Sequence, residues 1–313
     1  MDEQLRLRYI RRVCNTQGWA LLISLGIMNA AVLLVTVYFA IAQALTGSSD
    51  MDQLMDGSGW GYLLSIAIGL LILFLWKKRD FCIHTLWQRG KPMKFGRFLG
   101  FLSVFLSIQM LSVLLSLLMD WIAWLGGFEM SDMGDISTDG LSLFLYVGLG
   151  APISEELLFR GLMLRSLEPF GKKFAIFATA LLFGLFHGNL SQAPFAFGVG
   201  LVLGYVAMEY NIGWAMVLHM FNNLILSDTL SRLLMHWLGD WGAAVLWGVI
   251  LLFSLAAVIV LVLQRKNIAA YLRREYDDPL CMKAFFGAPG IIVLLIVLGL
   301  TIIYSTYVSL LPM

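Results

Sequence analysis

Nine apolar stretches follow one another along the chain, at about 19–44, 59–76, 98–125, 141–165, 174–189, 194–210, 213–228, 241–264 and 288–311. The polar connections between them run to about twenty residues at most. An α-helix needs about 20 apolar residues to cross a hydrocarbon core of ~30 Å, and inside that core every backbone N–H and C=O must be satisfied by the segment itself. The expected fold is therefore all-α: a polytopic helical bundle in the membrane, with about eight or nine transmembrane helices forming a single membrane domain over residues 1–313. Composition supports the same reading, because 60% hydrophobic against 13% charged residues leaves too little polar surface to solvate a soluble domain. The stretches 174–189 and 213–228 are short for a perpendicular crossing, so one or both are expected to be tilted, re-entrant or broken.

Charge sets the expected orientation. With the N-terminus in the cytoplasm, the inner segments 1–18, 77–97, 165–173 and 265–283 hold nineteen of the 21 Lys and Arg residues, the bias that short cytoplasmic loops show. Only Arg160, inside a span, and Arg232 fall elsewhere. The outer loops carry acid instead, with Asp50, Asp52 and Asp56, then Glu129, Asp132, Asp135 and Asp139. Residues 1–18, with Arg6, Arg8, Arg11 and Arg12, form a basic cytoplasmic segment. Ala42-Gln43-Ala44 resembles a signal-peptidase site, but the preceding apolar run of about 25 residues is too long for a signal sequence, so an uncleaved first helix is expected. Cys14, Cys82 and Cys281 have no metal or redox spacing and fall on the cytoplasmic side, where thiols stay reduced. A multi-pass protein of the cell membrane is the expected result.

Within the fourth span, Ala151-Pro152-Ile153-Ser154-Glu155-Glu156-Leu157-Leu158-Phe159-Arg160 puts three ionisable side chains at membrane depth. A charge there costs roughly 2.5–3.5 kcal/mol even on the gentler insertion scales, so such residues face the bundle interior and mark function. Glu156 and Arg160 stand at i,i+4 and can neutralise one another, whereas Glu155 is turned about 100° away and needs a different partner. Pro152 cannot donate to the Gly148 carbonyl and loosens the helix just before Glu155, with Gly148 and Gly150 adding to the break.

Of the four histidines, His84 and His236 are expected in loops, while His187 and His219 lie inside spans. At 1.5 Å per helical residue, Glu155, His187, His219 and Asn223 come to roughly 15, 20, 9 and 15 Å from the cytoplasmic boundary. All four can meet in one layer, which suits a compact site better than a ladder of groups crossing the membrane. Gly198, Gly200 and Gly204 are read as close helix packing. No His-Glu-x-x-His, Gly-x-Ser-x-Gly or nucleotide-binding loop is present, and no basic-aromatic surface suggests a nucleic-acid partner.

Glu155-Glu156-x-x-x-Arg160, Phe183-x-x-x-His187 and His219-x-x-x-Asn223, in this order on successive spans, resemble the three motifs of the CPBP family, which includes the type II CAAX prenyl proteases and the bacteriocin-processing or immunity (Abi) proteins. The resemblance covers 141–228, the expected catalytic core, and leaves the first three and last two spans without a signature. It implies an intramembrane endopeptidase in which Glu155 and His187 activate water, while His219 and Asn223 stabilise the oxyanion or take part in a metal site. Glu156 and Arg160 are then the supporting pair. Two mechanisms stay open: zinc held by Glu155, His187 and His219 with water in the fourth place, or a buried glutamate acting as general base beside a histidine without metal. The implied substrate is a membrane-associated protein or peptide, a prenylated Cys-a-a-X terminus or a leader peptide, cut near the cytoplasmic side of the bilayer. The readings weighed against this are a proton-coupled transporter or channel using the same Glu and His residues, and a non-catalytic immunity or scaffold protein that binds a peptide.

Overall fold

The computed structural model describes residues 2–47, 51–80, 88, 90–128, 140–224, 230–239, 241–274 and 277–310. His84, Cys82, Asp50, the acidic residues of 129–139 and the end of the expected seventh span at 225–228 lie outside the described residues. The described chain is all helical. Its helices are α1 (Glu3–Thr46), α2 (Met51–Asp80), α3 (Phe95–Leu125), α4 (Leu141–Phe170), α5 (Lys172–Phe186), α6 (Gln192–Glu209), α7 (Ile212–Phe221), α8 (Leu230–Leu238), α9 (Trp241–Arg274), α10 (Cys281–Phe286) and α11 (Pro289–Ser309).

Seven of these, α1, α2, α3, α4, α6, α9 and α11, are long and apolar enough to cross a membrane. The other two expected spans are helices but short ones, 15 residues in α5 and 10 in α7. Local chemistry bounds α5 at both ends and α7 at its start, while past Phe221 the chain continues in a π-helical turn over 222–224. Gly171, at φ 145°, precedes α5, and Gly188, at φ 65°, follows it, conformations that side chains with a Cβ rarely adopt. Asn211 caps α7, its Oδ1 accepting from Trp214 N at 3.0 Å. Two expectations are corrected at the periphery. His236 lies in α8 and not in a loop, because Leu-Ser-Arg-Leu-Leu-Met-His-Trp-Leu carries its apolar residues at helical spacing. Asp52 and Asp56 belong to the first turns of α2, where carboxylates suit the helix dipole, and not to the preceding connection.

Lipid is as apolar as leucine, so helix association in a bilayer rests on close packing and internal polar contacts. Helices α4, α5 and α6 form the packed centre: Phe159, Leu164, Leu182, Phe183 and Leu203 are fully buried. The expected glycine packing is present, since a Cβ on Gly200 would press on Ala180 of α5 and one on Gly204 would meet Ile176. Helices α1 and α2 pair on one side, α3 and α9 on another, and α11 lies against α1 and α5. The outward face of α9, with Leu252, Leu255, Val258, Ile259 and Leu263, is exposed, as a lipid-facing surface should be.

Two ion-paired knots tie the ends of the central helices. Glu209 at the end of α6 takes both Lys91 and Lys172, at 2.5 and 3.2 Å, and its contact with Lys91 holds that ammonium charged by raising its pKa. Asp277 accepts from Phe174 N at 3.2 Å, capping α5 from a residue more than a hundred positions away, while Asp278 pairs with Arg6 of α1. Cys281, beside this second knot, is buried and has its pKa pushed up to about 12, chiefly by desolvation, so it is a packing residue and not a reactive thiol.

Candidate active site

Helix α4 is continuous in direction but not in hydrogen bonding. Wide π turns at Tyr146–Gly150 and Glu156–Leu164 flank a short α segment at Ala151–Glu155, and π turns inside α-helices are frequent at functional sites. The break expected at Pro152 is present and reaches a second carbonyl. Ala151 N–H donates to Tyr146 O in the π register, so Pro152, without an N–H, can fill neither the Gly148 carbonyl at i−4 nor the Val147 carbonyl at i−5, and Ala151 does not fill Val147 either.

The two glutamates divide as the spacing predicts. Glu156 and Arg160 are both wholly buried and meet at 2.9 Å, Glu156 Oε1 to Arg160 Nη1. The guanidinium also donates to the Gly200 carbonyl of α6 at 3.4 Å, and lies 4.3 Å from the centroid of the Phe183 ring. An Arg cation is thereby held by a carboxylate, a carbonyl and an aromatic face at once, which compensates its removal from water. Glu155 stays partly exposed, with 22% of its side chain accessible, and its nearest charged partner is His219 Nε2 at 3.8 Å. That separation is beyond direct hydrogen bonding.

Both motif histidines have a ring nitrogen engaged by a neighbour, but only His219 is buried; His187, expected deep inside a span, is exposed at the end of α5. His219 Nδ1 donates to Glu156 Oε1 at 3.0 Å, which directs Nε2 at Glu155. Glu156 is thus more than the counter-ion of Arg160: it also orients His219, a link that i,i+4 reasoning within one helix could not reveal. His187 ends α5. Its backbone N–H goes to Gly184 O, and its Nδ1 donates to the Phe183 carbonyl at 2.9 Å, one of the carbonyls a helix end leaves unfilled. A carbonyl only accepts, so Nδ1 carries the proton and Nε2 presents a lone pair.

Phe183 joins the groups spatially. Its ring meets His187 edge-on at 4.9 Å and His219 at 5.8 Å between centroids, with Arg160 over its face. Glu155, Glu156, Arg160, His187 and His219 accordingly form one connected constellation. Asn223 reaches α4 at a different point, its Nδ2 donating to the Val147 carbonyl at 2.9 Å. As for a metal, the two histidines have the outer-shell partners that metal-binding imidazoles usually show. Among the described residues, however, no three His, Cys, Asp or Glu side chains are grouped closely enough to hold an ion.

Glu155 opens onto a cavity of about 530 Å³ between α1, α2 and α4. Its walls are mainly apolar, with Trp19, Ile23, Leu70, Leu73, Leu158 and Phe186, and Ser154, Ser65 and Tyr146 supply polar points. Helices α1 and α2 touch where Gly61 abuts Ala31 and Val32, and cavity-lining Trp19, Ile23, Ile72 and Trp76 are exposed, so the cavity is open beside these side chains. Sequence reasoning found no signature in these two helices. Apolar residues that line a cavity read the same as residues that face lipid.

Residues 137–225 match the model of the family described as Rce1-like, type II CAAX prenyl endopeptidase Rce1-like. No curated protein and no solved structure matches the chain.

Proposed function

We propose that this multi-pass membrane protein, whose residues 137–225 match the Rce1-like family of type II CAAX prenyl endopeptidases, hydrolyses a peptide bond of a membrane-associated substrate at Glu155. The observation that carries the reading is a carboxylate on the wall of an apolar cavity, facing a histidine nitrogen whose opposite side is fixed by a second, buried carboxylate.

The chemistry follows from those positions. Glu155 takes a proton from water, and the lone pair on His187 Nε2 accepts the water's other hydrogen bond as the oxygen attacks the scissile carbonyl. His219, protonated at Nε2, donates to the oxyanion that forms, while Glu156 holds its Nδ1–H. Glu155 then returns its proton to the nitrogen as the C–N bond breaks and the oxyanion re-forms the carbonyl, so one water and one amide give a carboxylic acid, which keeps the water's second proton, and an amine. Convergence of these groups around Phe183 in a single layer favours hydrolysis over a proton relay, which would distribute them along the membrane normal.

The cavity suits a substrate with an apolar chain alongside the peptide, as a prenylated Cys-a-a-X terminus has. Comparing peptide termini in membranes of cells carrying the wild type and the Glu155→Gln variant tests the reading. New termini that depend on Glu155 are expected, and identical termini in the two would refute peptide hydrolysis.

Charge distribution supports a cytoplasmic N-terminus and cleavage near the inner face. In a Cys82→Ser background, a cysteine introduced within 129–139 is expected to react with an impermeant thiol reagent in intact cells, and one within 84–94 is not. Labelling confined to 84–94 would invert the topology.

Metal dependence has a direct measurement. Elemental analysis of detergent-purified protein, with a cleavage assay after chelation, is expected to show full turnover without stoichiometric zinc, since Glu155 and His187 form the base in this scheme. Stoichiometric zinc lost together with activity in both His187→Ala and His219→Ala would establish the metal site instead.

A further inference from the structure

We propose that Asn223 is a positioning residue for Glu155: its carboxamide holds the Val147 carbonyl that Pro152 leaves unpaired, and so locks the hydrogen-bond register of α4 from which Glu155 projects. The inference rests on the assignment of Glu155 as the base.

Through Tyr146–Gly150 the bonds of α4 run in the π register, with Ala151 N–H on Tyr146 O. The next bond of that series would run from residue 152 to Val147 O, but Pro152 has no N–H. The α-register donor to Val147 O is Ala151 N–H, which is already committed. Val147 O therefore has no donor on its own helix, and at membrane depth water does not readily replace one. Asn223 reaches it from the π-helical continuation of α7 at 222–224, at 2.9 Å. Asn222 Nδ2 donates to Asn223 Oδ1 at 3.1 Å, which turns the amide nitrogen toward Val147. The approach is close because Gly148, the next residue of α4, has no side chain where Leu224 packs.

The consequence lies eight residues along. Without Asn223, Ala151 N–H can shift from Tyr146 O to Val147 O, converting the π turn to an α turn. A change of register by one residue rotates the following segment by about 100° and carries Glu155 away from His219. The contact between Asn223 and Val147 acts on chemistry through geometry, without requiring Asn223 to touch substrate.

A double-mutant cycle with Pro152 tests this. In Pro152→Ala, the restored N–H can fill Val147 O from within α4, so Asn223 loses its task. In the full-length protein reconstituted in bilayers, Asn223→Ala alone is expected to lower kcat by at least about 10²-fold with little change in KM, since a misplacement of only ~1 Å already costs that much and the register change moves Glu155 further. In the Pro152→Ala background the same substitution is expected to cost only a few-fold. Equal losses in the two backgrounds would overturn the proposal and assign Asn223 to the oxyanion alone. Thermal unfolding supplies the same cycle without turnover, so it decides the matter even if no peptide is cleaved: Asn223→Ala is expected to lower Tm in the wild-type background and much less beside Pro152→Ala, and additive shifts would overturn the proposal. If Pro152→Ala fails to accumulate, Pro152→Ser restores the same N–H. Failure of both Pro152 variants while Asn223→Ala accumulates normally also counts against it, because a carbonyl filled from its own helix should be no harder to fold.

Discussion

Glu155→Gln is expected to accumulate at the wild-type level and to lose cleavage by about 10²–10⁴-fold, the range that removal of a general base produces. The side chain is partly exposed to the cavity and comes no closer than 3.8 Å to His219, so nothing in the packing depends on its charge. Gln has the same shape and fills the same space but cannot accept a proton from water. Parallel measurement of membrane-inserted protein and of turnover separates the two effects. Activity within a few-fold of wild type would remove Glu155 from the chemistry and require another base.

Glu156→Gln, one residue further, is expected to fail earlier, in folding. It leaves the Arg160 cation wholly buried without its carboxylate, and breaking a buried pair on one side costs about 3–5 kcal/mol. That loss is comparable to much of the net stability of a typical domain, ~5–15 kcal/mol, so steady-state protein and resistance to thermal aggregation should drop sharply. Removing both charges distinguishes this electrostatic cost from the orientation of His219. Glu156→Leu with Arg160→Met is expected to accumulate better than Glu156→Leu alone, because no unpaired charge remains. Turnover is not expected to return, since His219 Nδ1 has lost its acceptor. Normal accumulation of Glu156→Gln would show that Arg160 finds sufficient compensation in Gly200 O and the Phe183 ring. Recovery of turnover in the double variant would show that His219 needs no carboxylate.

The sequence determined the class of this protein, because the bilayer allows few solutions. Apolar runs of membrane length can only be helices there, and three ionisable residues in one of them must turn inward. Local spacing also separated the two glutamates, since i,i+4 geometry belongs to one helix and needs no tertiary information. The motif order on 155–160, 183–187 and 219–223 marked Arg160, His187 and His219, which meet around Phe183, and Asn223, which lies apart from them on the carbonyl of Val147.

Tertiary structure alone decided the rest, and in each case the deciding contact joins residues far apart in the chain. Glu156 and His219 are 63 positions apart, so no periodicity reports that one carboxylate serves both Arg160 and His219. The α4 break came to include the Val147 carbonyl beside the Gly148 carbonyl that i,i+4 spacing names, because a proline specifies only that a donor is missing, and the helical register decides which further acceptor goes without one. Helices α1 and α2 became walls of the cavity on Glu155 through the way they pack beside α4. Hydropathy does not encode that, because a side chain facing an apolar cavity and one facing lipid meet the same requirement.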